Sequence, residues 1–256
     1  MAANLSFPLL ILLTTLLLSS TAADDPTAFV YAGCSEPKYP PNSPYQYNLD
    51  SLLSSLANAA SFSSYSNFTS SAASPFSPVS GLLQCRGDLS LSACSSCVRS
   101  ALSRLSPLCP YAAAAALQLR GCYIRYGNDS FISRPDTSLL YKTCSSGVDS
   151  GLPGADFLQA RDSAFSSLAG GSYRVGAVGG VRVEAQCVGD LSDGDCSDCI
   201  ESAAAQVKAS CGGAASGEAY LGKCYVRYYA DGARPYAYGG GAGDSDGGHD
   251  IVECAT

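Results

Sequence analysis

Residues 85–97 read CRGDLSLSACSSC, and residues 187–199 read CVGDLSDGDCSDC. Both stretches space their cysteines as C-x8-C-x2-C around a shared Gly-Asp-Leu-Ser, and they lie 102 residues apart. The same offset carries outward: Cys109 and Cys122 return as Cys211 and Cys224, and CYIRY at 122–126 returns as CYVRY at 224–228. Five cysteines repeating at one offset mark an internal duplication. Cys34 and Cys144 differ by 110 positions, so the second copy is eight residues shorter before its second cysteine, and Cys144 opens it. Each repeat holds six cysteines, and Cys254 is left over.

Around this frame the apolar spacing predicts two helices per repeat. Leu49, Leu52, Leu53, Leu56, Ala57 and Ala60 form one helical stripe behind Asn48 as a cap. Phe157, Ala160, Ala164, Phe165 and Leu168, after Asp156, form its counterpart. A second stripe runs through Cys94, Cys97, Val98, Ala101, Leu102 and Leu105 and is expected to stop at Pro107; its copy uses Cys196, Cys199, Ile200, Ala203, Ala204 and Val207. Residues 117–126 and 219–229 are rich in β-branched and aromatic side chains, and each reads as a strand bulged near Gly121 or Gly222. Helices packed on one face of an antiparallel sheet make an α+β domain.

The leading residues Leu5 to Leu18 are almost wholly apolar and are followed by SSTAADD, which reads as a secretory signal over residues 1–23. Fourteen residues are too few to span a bilayer, and no other apolar run reaches about 18, so no membrane span is expected. Thirteen cysteines in a secreted chain imply an oxidising compartment and a disulfide framework. The single histidine, His249, sits in a Gly- and Asp-rich tail, which excludes Ser-His-Asp and Cys-His catalysis from a packed site. The expectation is a protein that is not an enzyme and needs no cofactor. Lys and Arg number 8 against 7 Asp and Glu in residues 24–143, but 7 against 15 in residues 144–256. No basic footprint for nucleic acid exists. The expected divisions are 24–143, 144–238 and a tail at 239–256.

Several motifs compete for a functional role. Cys94-Ser-Ser-Cys97 and Cys196-Ser-Asp-Cys199 carry the letters of a redox or zinc half-site, but their neighbouring cysteines favour structural disulfides, with thiol oxidoreductase and zinc chemistry as alternatives. Arg86-Gly-Asp88 becomes Val188-Gly-Asp190 in repeat two, so the shared Gly-Asp reads as a turn into the second helix and not as an adhesion signal. Asp190, Asp193, Asp195, Asp198 and Glu201 cluster at a helix start without the spacing of a calcium loop. Asn67 and Asn128 head N-glycosylation sequons. Tyr225, Tyr228, Tyr229, Tyr236 and Tyr238 gather near Arg227 and Arg234, and Tyr39, Tyr45 and Tyr47 lie in a Pro-rich stretch. Of these, Tyr228, Tyr229 and Tyr236 are singled out as a binding patch, since rings beside polar groups suit sugar stacking or protein hot spots. Cys254, unpaired, is a candidate link for a dimer.

The paired C-x8-C-x2-C motifs, at Cys85, Cys94 and Cys97 and at Cys187, Cys196 and Cys199, resemble the plant ginkbilobin-like, or stress-antifungal, domain. The two repeats cover nearly all of the chain after the signal. The group most resembled is the cysteine-rich repeat secretory proteins of the cereal root-meander-curling type; plasmodesmata-located proteins and cysteine-rich receptor-like kinases have similar paired ectodomains followed by a membrane span. The resemblance implies two helices over a five-stranded antiparallel sheet in each domain, with edge-to-edge packing of the two sheets. It also implies the pairings Cys34–Cys109, Cys85–Cys94, Cys97–Cys122, Cys144–Cys211, Cys187–Cys196 and Cys199–Cys224. The family's mannose site uses an Asn, an Arg and a Glu, and the matching positions here are Ser35, Ala116 and Gly127, then Ser145, Glu218 and Tyr229. The hydroxyls of Ser35 and Ser145 could still donate one bond each there. The resulting expectation is a secreted apoplastic binding protein of stress, defence and root-growth signalling that meets a receptor-like kinase ectodomain, another apoplastic protein or a cell-wall glycan. A mannose-binding antifungal lectin is the alternative.

Overall fold

The computed structural model describes residues 25–73, 78–145, 154–231 and 233. The signal segment, Tyr236, Tyr238, His249 and Cys254 lie outside these residues.

Repeat one is built from β1 (Phe29–Cys34), α1 (Pro44–Ala59), β2 (Tyr65–Ser70), β3 (Val79–Cys85), α2 (Leu91–Leu108), β4 (Ala115–Leu119) and β5 (Cys122–Gly127). Repeat two follows the same order: β6 (Leu139–Cys144), α3 (Gly154–Ser166), β7 (Tyr173–Val178), β8 (Val181–Cys187), α4 (Asp193–Cys211), β9 (Ser216–Leu221) and β10 (Cys224–Ala230). The strands form two antiparallel five-stranded sheets of identical topology, β1-β4-β5-β3-β2 and β6-β9-β10-β8-β7. Strand β6 ends at Cys144 and pairs with β9, so the second sheet begins at Leu139, ahead of the division expected between 143 and 144.

The helix starts follow serine caps. Ser90 and Ser192, 102 residues apart, accept the backbone N–H groups of Ala93 and Asp195 through their hydroxyls. Ser43 caps α1 ahead of Pro44, whose missing N–H costs nothing at a helix start. Asn48 is therefore no cap: it lies a turn inside α1, buried, and its side-chain oxygen accepts the N–H of Ala73. A polar residue ahead of an apolar stripe looks like a cap in sequence, but here a loop folds back to use it. Pro107 does not stop α2 either. The helix continues to Leu108, because proline removes a single i to i−4 bond and Cys109 N–H still reaches Leu105 O.

The stretches read as single bulged strands are hairpins. Residues 117–126 split into β4 and β5 around Arg120-Gly121, with Leu117 opposite Ile124, and residues 219–229 split into β9 and β10 around Gly222-Lys223. Each hairpin supplies two of the three interior strands of its sheet.

The disulfides fasten helix to sheet. Cys85 and Cys122 face each other across β3 and β5, and Cys94 and Cys97, one turn apart on α2, bond to one each. Cys34, at the end of β1, bonds Cys109 beyond α2. Repeat two carries Cys187–Cys196, Cys199–Cys224 and Cys144–Cys211 in the same places. Each sheet thus presents one face to its helices, forming two separate cores around Leu52, Leu56, Ile124 and Val98, and around Phe157, Val183, Val226 and Tyr228.

Candidate functional site: the face between the repeats

Strand residues alternate, so the positions between the core residues point away from the helices. In repeat one these include Tyr31, Leu82, Gln84, Ala116 and Tyr123; in repeat two, Glu184, Gln186, Glu218, Tyr220 and Tyr225. Apolar members from both repeats, with Phe131 from the connecting segment, merge into a third buried cluster. The two sheets remain separate and meet through side chains on these outer faces, which corrects the edge-to-edge expectation. Tyr31 stacks on Tyr141 at 5.9 Å and meets Tyr220 edge-on at 5.8 Å.

The contact is reciprocal. Gln84 Oε1 accepts the N–H of Gly189 at 2.8 Å, and Gln186 Oε1 accepts the N–H of Gly87 at 3.2 Å. Both carboxamides also donate to Cys85 O at 2.9 Å. The glycines are required by close approach. A Cβ on Gly87 would lie 2.5 Å from Cβ of Tyr173, and one on Gly189 would lie 2.8 Å from Cγ of Tyr65. The duplicated Gln-Cys-x-Gly-Asp is therefore the joint between the repeats. Its duplication is the signal in the sequence; its use as a joint needs both copies in space. Within Arg86-Gly-Asp88, Arg86 is buried and ion-paired with the half-exposed Asp88, and Gly87 is packed in the joint.

Buried charges complete the interface. Arg120, in the β4–β5 turn, makes a two-pronged ion pair across the repeats with Glu218, Nη2 to Oε1 being 2.9 Å. Both side chains are more than nine-tenths buried. Lys223 donates to Asp190 at 2.5 Å, and the same carboxylate accepts the N–H of Ser133 in the connecting segment, tying that segment to repeat two. Burial lowers the Lys223 pKa, against the pull of Asp190. Within repeat two, Arg227 pairs with Glu184 directly across β10 and β8. Burial, reinforced by Glu218, holds the Tyr220 hydroxyl well above its ordinary pKa. The hydroxyl of Tyr225 finds no hydrogen-bond partner among the described residues, and it lines an interface cavity of about 30 Å³, large enough for one water.

The structure disperses the tyrosine patch. Tyr228 is a core residue, 1% exposed, packed on Phe157 and Phe165 with its hydroxyl donating to Ala214 O. Tyr229 is half-buried with its hydroxyl on Glu184, and Tyr236 lies outside the described residues. Strand alternation is the reason: 228 shares a face with Val226, while 229 shares the opposite face with Arg227. The positions matching the mannose triad are likewise spent on folding. Glu218 serves Arg120, the Ser35 hydroxyl serves Pro37 O and Ala114 N–H, and the Ser145 hydroxyl serves both backbone groups of Ser216. The expected serine donors are thus occupied. Ala116 and Gly127 have no polar side-chain atom, and Tyr229 is engaged as described.

Asn67 is exposed on the edge strand β2, and Asn128 is exposed just after β5. Asp193 and Asp195 lie in the first turn of α4, where carboxylates offset the helix dipole. Among the described residues no group of three His, Cys, Asp or Glu is placed to hold a metal ion. No described helix is long and apolar enough to cross a membrane.

Two copies of one three-disulfide α+β unit, fused through a reciprocal interface, define a tandem-repeat, disulfide-braced α+β protein. The chain belongs to the salt stress response/antifungal family, whose profile matches residues 33–129 and 143–231. It is 42% identical to plasmodesmata-located protein 7 of Arabidopsis thaliana over 221 residues, covering 86% of this chain and 72% of the relative. To plasmodesmata-located protein 6 of the same plant it is 44% identical over 236 residues, covering 89% and 80%. Among solved structures, the tandem DUF26 ectodomain of the Arabidopsis thaliana cysteine-rich receptor-like protein PDLP8 superposes with a TM-score of 0.75 at 42% identity, covering 80% of this chain and 99% of that one. The likeness falls strongly on plasmodesmata-located proteins, a group that the sequence motifs alone rank behind the secretory one.

Proposed function

We propose that the protein is a secreted apoplastic recognition module of plant stress, defence and growth signalling, acting by binding a protein partner such as a receptor-like kinase ectodomain. The observation that carries this reading is the likeness, over both repeats, to the ectodomain of a receptor-like protein. The physical support is rigidity: six disulfides and a buried, reciprocal joint leave the two repeats little relative freedom, so the outer surface is pre-organised for recognition. Glycans at Asn67 and Asn128 would both shield repeat one and leave repeat two as the bare face. Capture of a cell-wall glycan is the other form of the same binding role, but a mannose-binding lectin has lost its support, since the residues at the triad positions are engaged elsewhere. The chain from residue 24, made in a secretory host, is expected to capture a receptor-like kinase ectodomain and to give a blank array of mannose polymers. Saturable mannan binding together with failure against every ectodomain presented would overturn the protein-partner reading.

A further inference from the structure

The two repeats differ in how their helices meet. In repeat one α1 packs directly on α2, with Leu102 half-buried against the core beneath. The residue 102 positions later is Ala204. Where repeat one has a leucine, repeat two has a methyl group, and a groove of about 490 Å³ opens along α3 and α4. That volume falls in the range of small-molecule sites, roughly 300–1,000 Å³. Its apolar lining is Phe165, Leu168, Ile200 and Ala204.

Its charge is opposite to that of its surroundings. Repeat two is the acidic half of the chain, yet Arg174 and Lys208 both line the groove, with Glu201 the one acid among the lining residues. None of the other described cations beyond Cys144 lines the groove. Arg161, Lys223 and Arg227 are buried in ion pairs, Arg182 sits beside Tyr229, and Arg234 is not described. The Arg174 guanidinium is oriented by bonds to Gly171 O and the Ser197 hydroxyl; the Lys208 ammonium lies 5.6 Å from the Phe165 ring centre and 4.0 Å from the Asp162 carboxylate, which Arg161 holds more closely at 3.2 Å. Two cations flanking an aromatic and aliphatic floor match a ligand with an apolar body and one carboxylate.

We propose that the groove between α3 and α4 binds a small amphiphilic carboxylic acid, with its apolar body on Phe165, Leu168 and Ile200 and its carboxylate between Arg174 and Lys208. This assignment is independent of the protein-partner reading. Dodecanoate, with dodecanol as its uncharged counterpart, tests it by calorimetric titration into the full chain. Dodecanoate is expected to saturate one site, and dodecanol to bind about tenfold more weakly, the equivalent of 1.4 kcal/mol. A204L, which restores the repeat-one side chain, should abolish dodecanoate binding without lowering the thermal midpoint. R174Q and K208Q alter half-buried positions at the groove, and each should weaken dodecanoate about fivefold while leaving dodecanol unchanged. The proposal is overturned by absence of saturable dodecanoate binding, by equal affinity for acid and alcohol, or by parental affinity in R174Q and K208Q.

Discussion

Glu218 shows how one position changes its work. In the mannose-binding pattern the corresponding site contacts sugar; here its carboxylate is buried against Arg120 of the other repeat. Removing one partner of such a pair strands the other charge in a medium that solvates it poorly, so Glu218→Gln should cost about 3 kcal/mol in chemical denaturation. The double variant Arg120→Met/Glu218→Leu, which strands neither charge, should lose less than that single change. A double variant as damaged as Glu218→Gln would show that the pair's packing, not its charge, matters. The glycines of the joint make a steric prediction. Gly189→Ala drives a methyl into Tyr65 and should cost about 1–3 kcal/mol, and Gly189→Ala with Tyr65→Ala should recover part of the loss.

At the scale of elements, the bridges should contribute unequally. Cys34–Cys109 closes a span of 75 residues and Cys85–Cys94 one of 9. The chain-entropy relation gives about 4.5 kcal/mol for the first and about 2.6 kcal/mol for the second, so paired Cys→Ser replacements should fall in that order of denaturation midpoint. The reverse order would place the main effect in native packing. Periodicity made the two helices and the α+β class legible, because an apolar stripe at helical spacing has one economical burial. It did not show where residues 117–126 turn: a hairpin and a bulged strand present the same β-rich letters, and only cross-strand pairing separates them. Nor did it separate Tyr228 from Tyr229, whose opposite fates depend on which face of β10 meets the helices.

The whole molecule is rich in tyrosines that the fold holds protonated. Burial raises the pKa of Tyr123, Tyr45 and Tyr173 to about 12 each. An unfolded tyrosine ionises near 10, so the folded state binds more protons between about 10 and 12. The resulting stability is complete below pH 10 and is lost as pH rises toward 12. Lys223 works the other way, since its lowered folded pKa adds stability as pH rises toward the unfolded lysine value. One lysine against several tyrosines leaves alkaline destabilisation as the net expectation. Tyrosinate absorbance should therefore rise in step with loss of near-ultraviolet dichroism, and a large titration near pH 10 in the folded protein would contradict the burial described here.

The sequence by itself determined the duplication, the helix faces, the α+β class and the family, because cysteine spacing and apolar periodicity are properties of neighbouring positions along the chain. The fusion of the repeats, the burial of Arg120 with Glu218, the loss of the tyrosine patch and the groove beside Ala204 were decided by tertiary structure. Each depends on which sheet face meets which partner. The first two join residues about a hundred positions apart and arise only when both copies have folded and docked; the last two are set by the packing inside repeat two.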